Sequence, residues 1–284
     1  MKAPAFAYAK PVALGEVFDL LERHGDGAKL LAGGQSLLPT LNMRLSSPEL
    51  LIDITGVGEL AGIRVNDGVV RIGALATHTE IGASPLIAKH APLLAQAVPH
   101  IAHAAIRNVG TIGGSLALAD PAAEYPACAV ALDATFVIRA KRGERRVKAR
   151  EFFKGLYETD LKPDEVLVAA DFPAAAADER SAFSELVRRH GDYAIVGVAA
   201  QVKRAGGKLS DVRLAFLGAG VTPVLAKHAA AAVEGKSPTP DVAAAAQAAL
   251  ARDLAPPKDL YTSTAMKLHL ARVLLGRTLG ALVA

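Results

Sequence analysis

Two runs with paired glycines constrain this chain more than any other feature: Ala32-Gly33-Gly34-Gln35-Ser36, and Arg107-Asn108-Val109-Gly110-Thr111-Ile112-Gly113-Gly114-Ser115. Lys29-Leu30-Leu31 reads as a short strand entering the first run, and Leu37, Leu38, Leu41 and Met43 read as a turn or helix leaving it. Adjacent glycines let the backbone take positive φ and come close to a ligand. Successive amides can then point into one concavity and hold phosphate oxygens, with the Ser36 hydroxyl as a further donor. An ordinary tight turn uses the same pair, so this run alone leaves both readings open. It lacks the Gly-x-Gly-x-x-Gly dinucleotide spacing. It also lacks the Gly-Lys-Ser/Thr ending of a P-loop, so nothing supports ATP hydrolysis.

The second run repeats the chemistry: close glycines, backbone donors and small hydroxyls. Two such runs can clamp one diphosphate from opposite sides. Arg107 fits either a ligand charge or an internal pairing, and Asn108 either a ligand contact or a turn. Asp120 and Glu124 could accept hydrogen bonds from sugar hydroxyls, or could satisfy free amides at a helix start.

Around these runs the pattern is mixed. Leu14 to Leu21 carries apolar residues at helical spacing, and Leu50 to Ile54 is a buried strand. Gly68 to Gly73 is a strand, and Thr77 with Glu80 forms a capping-box pattern. Leu86 to Val98 reads as one helix limited by Pro99, and Ala102 to Ala119 as a loop flanked by short strands. Ala131 to Ala140 pairs with the segment at Val147 across a turn at Lys141–Glu144. Glu165 to Ala170 is a further strand, and Ala174 to Ala177 a linker. Ile195 to Val202 and Val212 to Leu217 read as antiparallel strands joined near Gly206-Gly207. Pro223 to Val233 and Val242 to Leu250 read as helices. In the tail, Leu260, Met266, Leu270, Val273 and Leu274 fall on one apolar helical face.

Composition excludes several classes. The single cysteine, Cys128, rules out an intrachain disulfide and an all-cysteine iron-sulfur or zinc site within this chain. A net charge of +4 from 32 basic and 28 acidic residues gives no general case for nucleic acid. The basic run Arg139, Lys141, Arg142, Arg145, Arg146, Lys148 and Arg150 has only Glu144 opposing it and no interleaved aromatics. It reads as a solvated hairpin face, with a docking face on a partner protein as the second option and nucleic acid as the third. No secretion signal or transmembrane segment is evident, and the expected location is the cytoplasm, with attachment at the inner membrane face only through a complex. The scattered histidines suggest no metal site.

The two runs, with Leu51-Ile52-Asp53-Ile54, Ile72-Gly73-Ala74, Ala119-Asp120-Pro121-Ala122-Ala123 and Arg188-Arg189-His190-Gly191-Asp192-Tyr193-Ala194, resemble the FAD-binding medium subunit of molybdenum hydroxylases, within the carbon monoxide dehydrogenase medium-subunit family. The resemblance spans residues 1 to about 275. It implies an α+β chain: a two-part FAD-binding domain of the PCMH/vanillyl-alcohol oxidase type (residues 1–57 and 58–176) and a smaller α+β C-terminal domain (residues 177–284). It implies that Ala32, Gly33, Gly34, Gln35 and Ser36, with Thr111, Ile112, Gly113, Gly114 and Ser115, hold the FAD pyrophosphate, and that Leu37 is a further cofactor-binding residue. Glu124, where many relatives carry aspartate, would reach the adenosine half. Leu161 would line the flavin site, Tyr193 would stack near the isoalloxazine, and Asp192 would organise its surroundings. Gln35 stands where some members have histidine, and an amide cannot form a covalent flavin link, so non-covalent FAD is expected. Ser184 replaces a lysine of xanthine-oxidising relatives, which weakens the case for NAD as acceptor.

The resemblance further implies no catalytic residues here, and two partners, as a dimer of heterotrimers. A small subunit would carry two [2Fe-2S] clusters, and a large subunit would carry the molybdenum cofactor and oxidise the substrate. Electrons would pass through FAD to an external acceptor. Two other readings are a self-contained NAD(P)H-linked flavin oxidoreductase, disfavoured by the missing Rossmann motif, and a non-enzymatic nucleotide-binding interaction protein.

Overall fold

The computed structural model describes residues 2–283. It is an α+β chain built on three main sheets. The first is parallel, with Leu50–Asp53 between Ala7–Ala9 and Ala28–Leu31. Parallel strands need crossovers, and the helix Leu14–His24 joins the two outer strands, Ala7–Ala9 and Ala28–Leu31. Its Leu14, Val17, Phe18 and Leu21 lie at helical spacing and are all buried. They share a core with Leu50, Ile52 and residues Val137, Val166 and Val168 of the second sheet.

The second sheet is antiparallel, in the order Ile63–Asn66, Val69–Gly73, Val166–Pro173, Thr135–Ala140, Gly143–Lys148. Its middle strand is buried along its length except at Pro173, as a strand covered on both faces must be. Phe136 meets Phe152 edge to face at 4.7 Å beneath it. The third sheet runs Glu179–Leu186, Val196–Ala205, Lys208–Leu217, Val224–Leu225. Gly206 and Gly207 both take positive φ, as a two-residue hairpin turn requires. Between the second and third sheets lies the helix Glu124–Ala131, every residue of which is buried. Its alanines and Cys128 pack in one cluster with Ala199, Ala215 and Leu217 of the third sheet. The Pro121 carbonyl just before it accepts from the Gly218 amide at 2.7 Å.

The structure corrects four sequence expectations. Ala102 to Ala119 is not a loop between strands: it holds the short helices Ala104–Arg107 and Ile112–Leu118. The Thr111 side chain caps the second of these by accepting from the Gly114 amide. The stretch from Leu86 to Val98 is two helices, Pro85–His90 and Pro92–Ala97. Pro92 cannot continue a helix from the preceding turn. Val224–Leu225 is a strand pairing with Ala215 and Phe216, and the helix behind it is only Lys227–Val233. In the tail, the helix Thr264–Ala281 buries Lys267, Ala271, Leu274, Leu275, Thr278 and Leu279. Leu260, 93% exposed, precedes the helix cap Ser263, and Met266 lies off the buried face.

The basic run is a hairpin whose seven cations all pair within the chain. Arg139 meets Glu59, Lys141 meets Asp19 and Glu22, Arg142 meets Asp164 and Glu165, and Arg146 meets Asp171. Arg145 binds Glu165 and Asp160, each at 2.6 Å, and Lys148 and Arg150 share Asp133. Among the described residues no helix is long and apolar enough to cross a membrane.

Candidate functional site

The carboxyl end of the strand Ala28–Leu31 delivers the first glycine run to the point where all three parts of the chain meet. Gly34 takes φ +68°, a conformation that favours glycine. A Cβ added at Gly33 would lie 2.2 Å from the Val109 carbonyl oxygen and 2.8 Å from Gly110 Cα. The two runs therefore touch backbone to backbone, and only glycine permits that contact. At Gly113 an added Cβ would sit 2.5 Å from Ala74 Cβ, so this residue is packed against the end of the strand Val69–Gly73. Gly114 differs: an added Cβ would meet only Thr111 Oγ1, at 3.0 Å, and otherwise open space.

The two runs also differ in their amides. Among the described residues, those of Gly33, Gly34, Gln35, Ser36 and Leu37 make no hydrogen bond to another group of the chain. In the second run, Ile112 donates to the Ala76 carbonyl, Gly113 to Ala74, Gly114 to Thr111 Oγ1 and Ser115 to the Thr111 carbonyl, all at 2.9–3.1 Å. The expectation that both runs present rows of free main-chain donors is corrected here: the first run presents five in succession, and in Thr111–Ser115 only the Thr111 amide makes no bond within the chain, beside the Thr111 and Ser115 hydroxyls. The amides from Ile112 to Ser115 are taken up because the segment is helical and bridges to Thr77.

Both runs border one cavity of about 800 Å³, within the range of small-molecule sites. Ala32, Gly33, Gly34, Gln35, Ser36, Leu37, Thr111, Gly113, Gly114, Ser115, Glu124, Leu161, Asp192 and Tyr193 all line it. Ile112 does not: its side chain is fully buried in the core behind the run. Gln35 turns its side-chain amide onto the Gly33 carbonyl at 2.8 Å, holding the first run closed on itself.

Glu124 opens the helix Glu124–Ala131 and is 9% exposed. Burial, then the neighbouring carboxylates Glu185 and Asp120, push its carboxyl up to about 8. It is therefore largely protonated at neutral pH and can donate as well as accept. The Glu185 side chain is itself buried and contacts His100 at 3.4 Å. Asp120 takes the local role open in the sequence, accepting from the Ala122 amide at 2.8 Å, and it also accepts from Tyr157 Oη at 3.2 Å. Burial, followed by Asp120, pushes the Tyr157 hydroxyl up to about 12.

Leu161 sits on a loop held from below, where the Lys162 amide donates to Glu165 at 3.0 Å. Tyr193 comes from the third sheet's loop and is 72% exposed at the cavity mouth. Gly191 places that loop, with φ +86° and an added Cβ only 2.4 Å from the His103 ring. Asp192 is held by its amide on the Arg189 carbonyl. Arg107 is structural, donating to the Ile101 and Ala102 carbonyls at 2.9 and 2.8 Å. Asn108 accepts from Thr79. Among the described residues no cluster of histidine, cysteine and carboxylates could hold a metal ion.

Several residues that line the cavity had no site role in the sequence, among them Thr40, Ser46, Thr159 and His78. His78 follows Thr77 in the capping box, and that pattern explained its position as a helix start without involving its ring. Only the fold shows His78 6% exposed and lining the cavity, with its ring tilted against Tyr125 at 5.3 Å.

Comparison with known proteins matches residues 4–175 to the FAD binding domain in molybdopterin dehydrogenase and residues 181–282 to the CO dehydrogenase flavoprotein C-terminal domain. The chain is 40% identical over 98% of its length to the 6-hydroxypseudooxynicotine dehydrogenase complex subunit alpha of Paenarthrobacter nicotinovorans, covering 95% of that protein. It is 38% identical to the carbon monoxide dehydrogenase medium chain of Hydrogenophaga pseudoflava, over 99% of this chain and 98% of that one. Among solved structures, carbon monoxide dehydrogenase from Hydrogenophaga pseudoflava lacking the Mo-pyranopterin moiety superposes with a TM-score of 0.97 at 39% identity, over 99% of this chain and 98% of that one. Quinoline 2-oxidoreductase from Pseudomonas putida 86 superposes with a TM-score of 0.95 at 38% identity, over 100% and 98%. The fold and the cavity define a flavin-nucleotide-binding subunit of an oxidoreductase. The chain belongs to the FAD-binding medium-subunit family of molybdenum hydroxylases.

Proposed function

We propose that this chain holds FAD non-covalently in the cavity between the two glycine runs and relays electrons within a molybdenum hydroxylase. In this reading a small subunit with two [2Fe-2S] clusters delivers the electrons, and a large molybdenum subunit oxidises the substrate. FAD, when bound, accepts electrons singly and releases them as a pair. The residues of this chain bind, orient and shield it.

The observation that carries the reading is the row of unbonded amides from Gly33 to Leu37, in residues that line the cavity, which suits the diphosphate of FAD. Thr111 and Ser115 add hydroxyl donors on the opposite wall. Gly114 leaves the space a side chain would fill. Glu124 meets the adenosine sugar, Leu161 and Tyr193 flank the isoalloxazine, and Asp192 positions Tyr193. Gln35 offers no nucleophile for a covalent link. The related proteins are named for carbon monoxide, a nicotine derivative and quinoline. Such a range around one conserved scaffold supports placing substrate choice in another subunit. Assembly as a dimer of heterotrimers in the cytoplasm completes the reading.

The test is isolation of the native complex. Acid treatment is expected to release FAD quantitatively, and mass spectrometry to find one iron-sulfur and one molybdenum subunit. Flavin that stays on the polypeptide, or a chain that isolates alone and oxidises NADH, would refute the proposal.

A further inference from the structure

Resting on the FAD reading above, we propose that His78 is a further cofactor-holding residue whose Nε2–H donates a hydrogen bond to an oxygen of the FAD diphosphate. His78 lines the cavity although it is almost entirely buried. Its Nδ1 is sealed from solvent and has no partner. Nε2 is not among the sealed atoms, and it bonds no group of the chain among the described residues. The polar atom that His78 turns to the cavity is therefore Nε2.

Its position is fixed on three sides. The His78 amide donates to the Gly110 carbonyl at 3.0 Å. The ring leans on Tyr125. A Cβ at Gly110 would lie 2.8 Å from Nε2, and one at Gly33 would lie 2.8 Å from Gly110 Cα. The ring tip, Gly110 and the first run's open amides thus surround the same part of the cavity.

The protonation state follows from the surroundings. Burial, with the nearby Arg107 charge, holds the imidazole down to about 4, so the ring is neutral and carries one proton. A sealed N–H without an acceptor is rarer in proteins than an under-used lone pair. The proton therefore belongs on Nε2, which leaves a donor aimed at the cavity with no acceptor in the chain. Diphosphate oxygens supply one.

The experiment uses the full chain freed of flavin and titrated separately with FAD and ADP. His78→Phe keeps a ring against Tyr125 but removes the donor. It is expected to weaken both ligands about tenfold, the value of one hydrogen bond to a charged acceptor. His78→Gln, whose amide nitrogen reaches the Nε2 position, is expected to stay near wild type, whereas His78→Asn, which places it at Nδ1, is not. Nitrogen-15 spectra of the histidine-labelled wild type are expected to show the Nε2–H tautomer, a measurement that needs no variant to fold. Equal FAD affinity in wild type and His78→Phe, weaker FAD with unchanged ADP, or an Nδ1–H tautomer would overturn the proposal. A wild-type chain that takes up ADP but no FAD would instead overturn the FAD reading beneath it.

Discussion

Gly33 and Gly114 are glycines for different reasons, and substitution separates them. Gly33→Ala drives a carbon into the Val109 carbonyl. It is expected to lower stability by about 2–3 kcal/mol in urea unfolding, because a packed backbone contact must open. Gly114→Ala meets no such wall. It is expected to leave stability within about 1 kcal/mol, while its methyl, standing in the space assigned to FAD, weakens FAD binding by about 10- to 100-fold in a fluorescence titration. Glu124 gives a pH signature. Its carboxyl titrates near 8 in the fold against 4.5 for a free side chain, so the folded chain keeps a proton that the unfolded chain releases. Stability from this group falls as pH rises from 4.5 to 8 and is level above. His78, near 4 in the fold against 6.5, acts oppositely, with stability rising from pH 4 to 6.5. The window from 6.5 to 8 therefore isolates Glu124. The flavin-free wild type is expected to lose melting temperature across it, and Glu124→Gln to flatten the curve in calorimetry. At this scale the glycine runs were legible because paired glycines are rare and chemically distinctive. Which amides they leave free was not, because the acceptors Ala74 and Ala76 belong to another element.

Elements with a local cause were readable: the amphipathic helix Leu14–His24, the capping box at Thr77 and the hairpin about Lys141 all follow from nearby residues. The basic hairpin was misjudged in one respect. Its opposing carboxylates, Asp19, Glu59, Asp133, Asp160, Asp164, Glu165 and Asp171, come from other segments, so the sequence displays an unopposed run that the fold neutralises. Arg145 is the pivotal cation. It grips Glu165, and Glu165 in turn holds the Leu161 loop through the Lys162 amide. Burial opposes the charge on Glu165, but Arg145 and the Lys162 amide outweigh it and keep the carboxyl below its ordinary range. Arg145→Met is expected to cost about 2–3 kcal/mol in urea unfolding, because it leaves a buried carboxylate short of its main partner. Adding Glu165→Gln is expected to recover part of that loss.

At the scale of the whole molecule, the cavity is assembled from three segments far apart along the chain: the first glycine run, the second, and the loop bearing Tyr193. Their convergence was implied by resemblance to a family and not by any spacing along the chain, since long-range placement depends on sheet packing. The third sheet is integral to the site, because Ala199, Ala215 and Leu217 share the core of the second. A fragment ending at residue 176 is expected to bind the dye ANS through the uncovered face of the helix Glu124–Ala131, and to retain FAD at least tenfold less well by fluorescence, about the loss of one stacking contact.

That helix has no wet side. Most helices tolerate drift along the stripe that faces water, but from Glu124 to Ala131 every position is buried, Glu124 in the cavity wall and the rest against sheet or helix. In a saturation library scored for folding, these eight consecutive sites should therefore form an unbroken block of intolerance, without the three-to-four-residue rhythm of permitted changes that marks an ordinary surface helix.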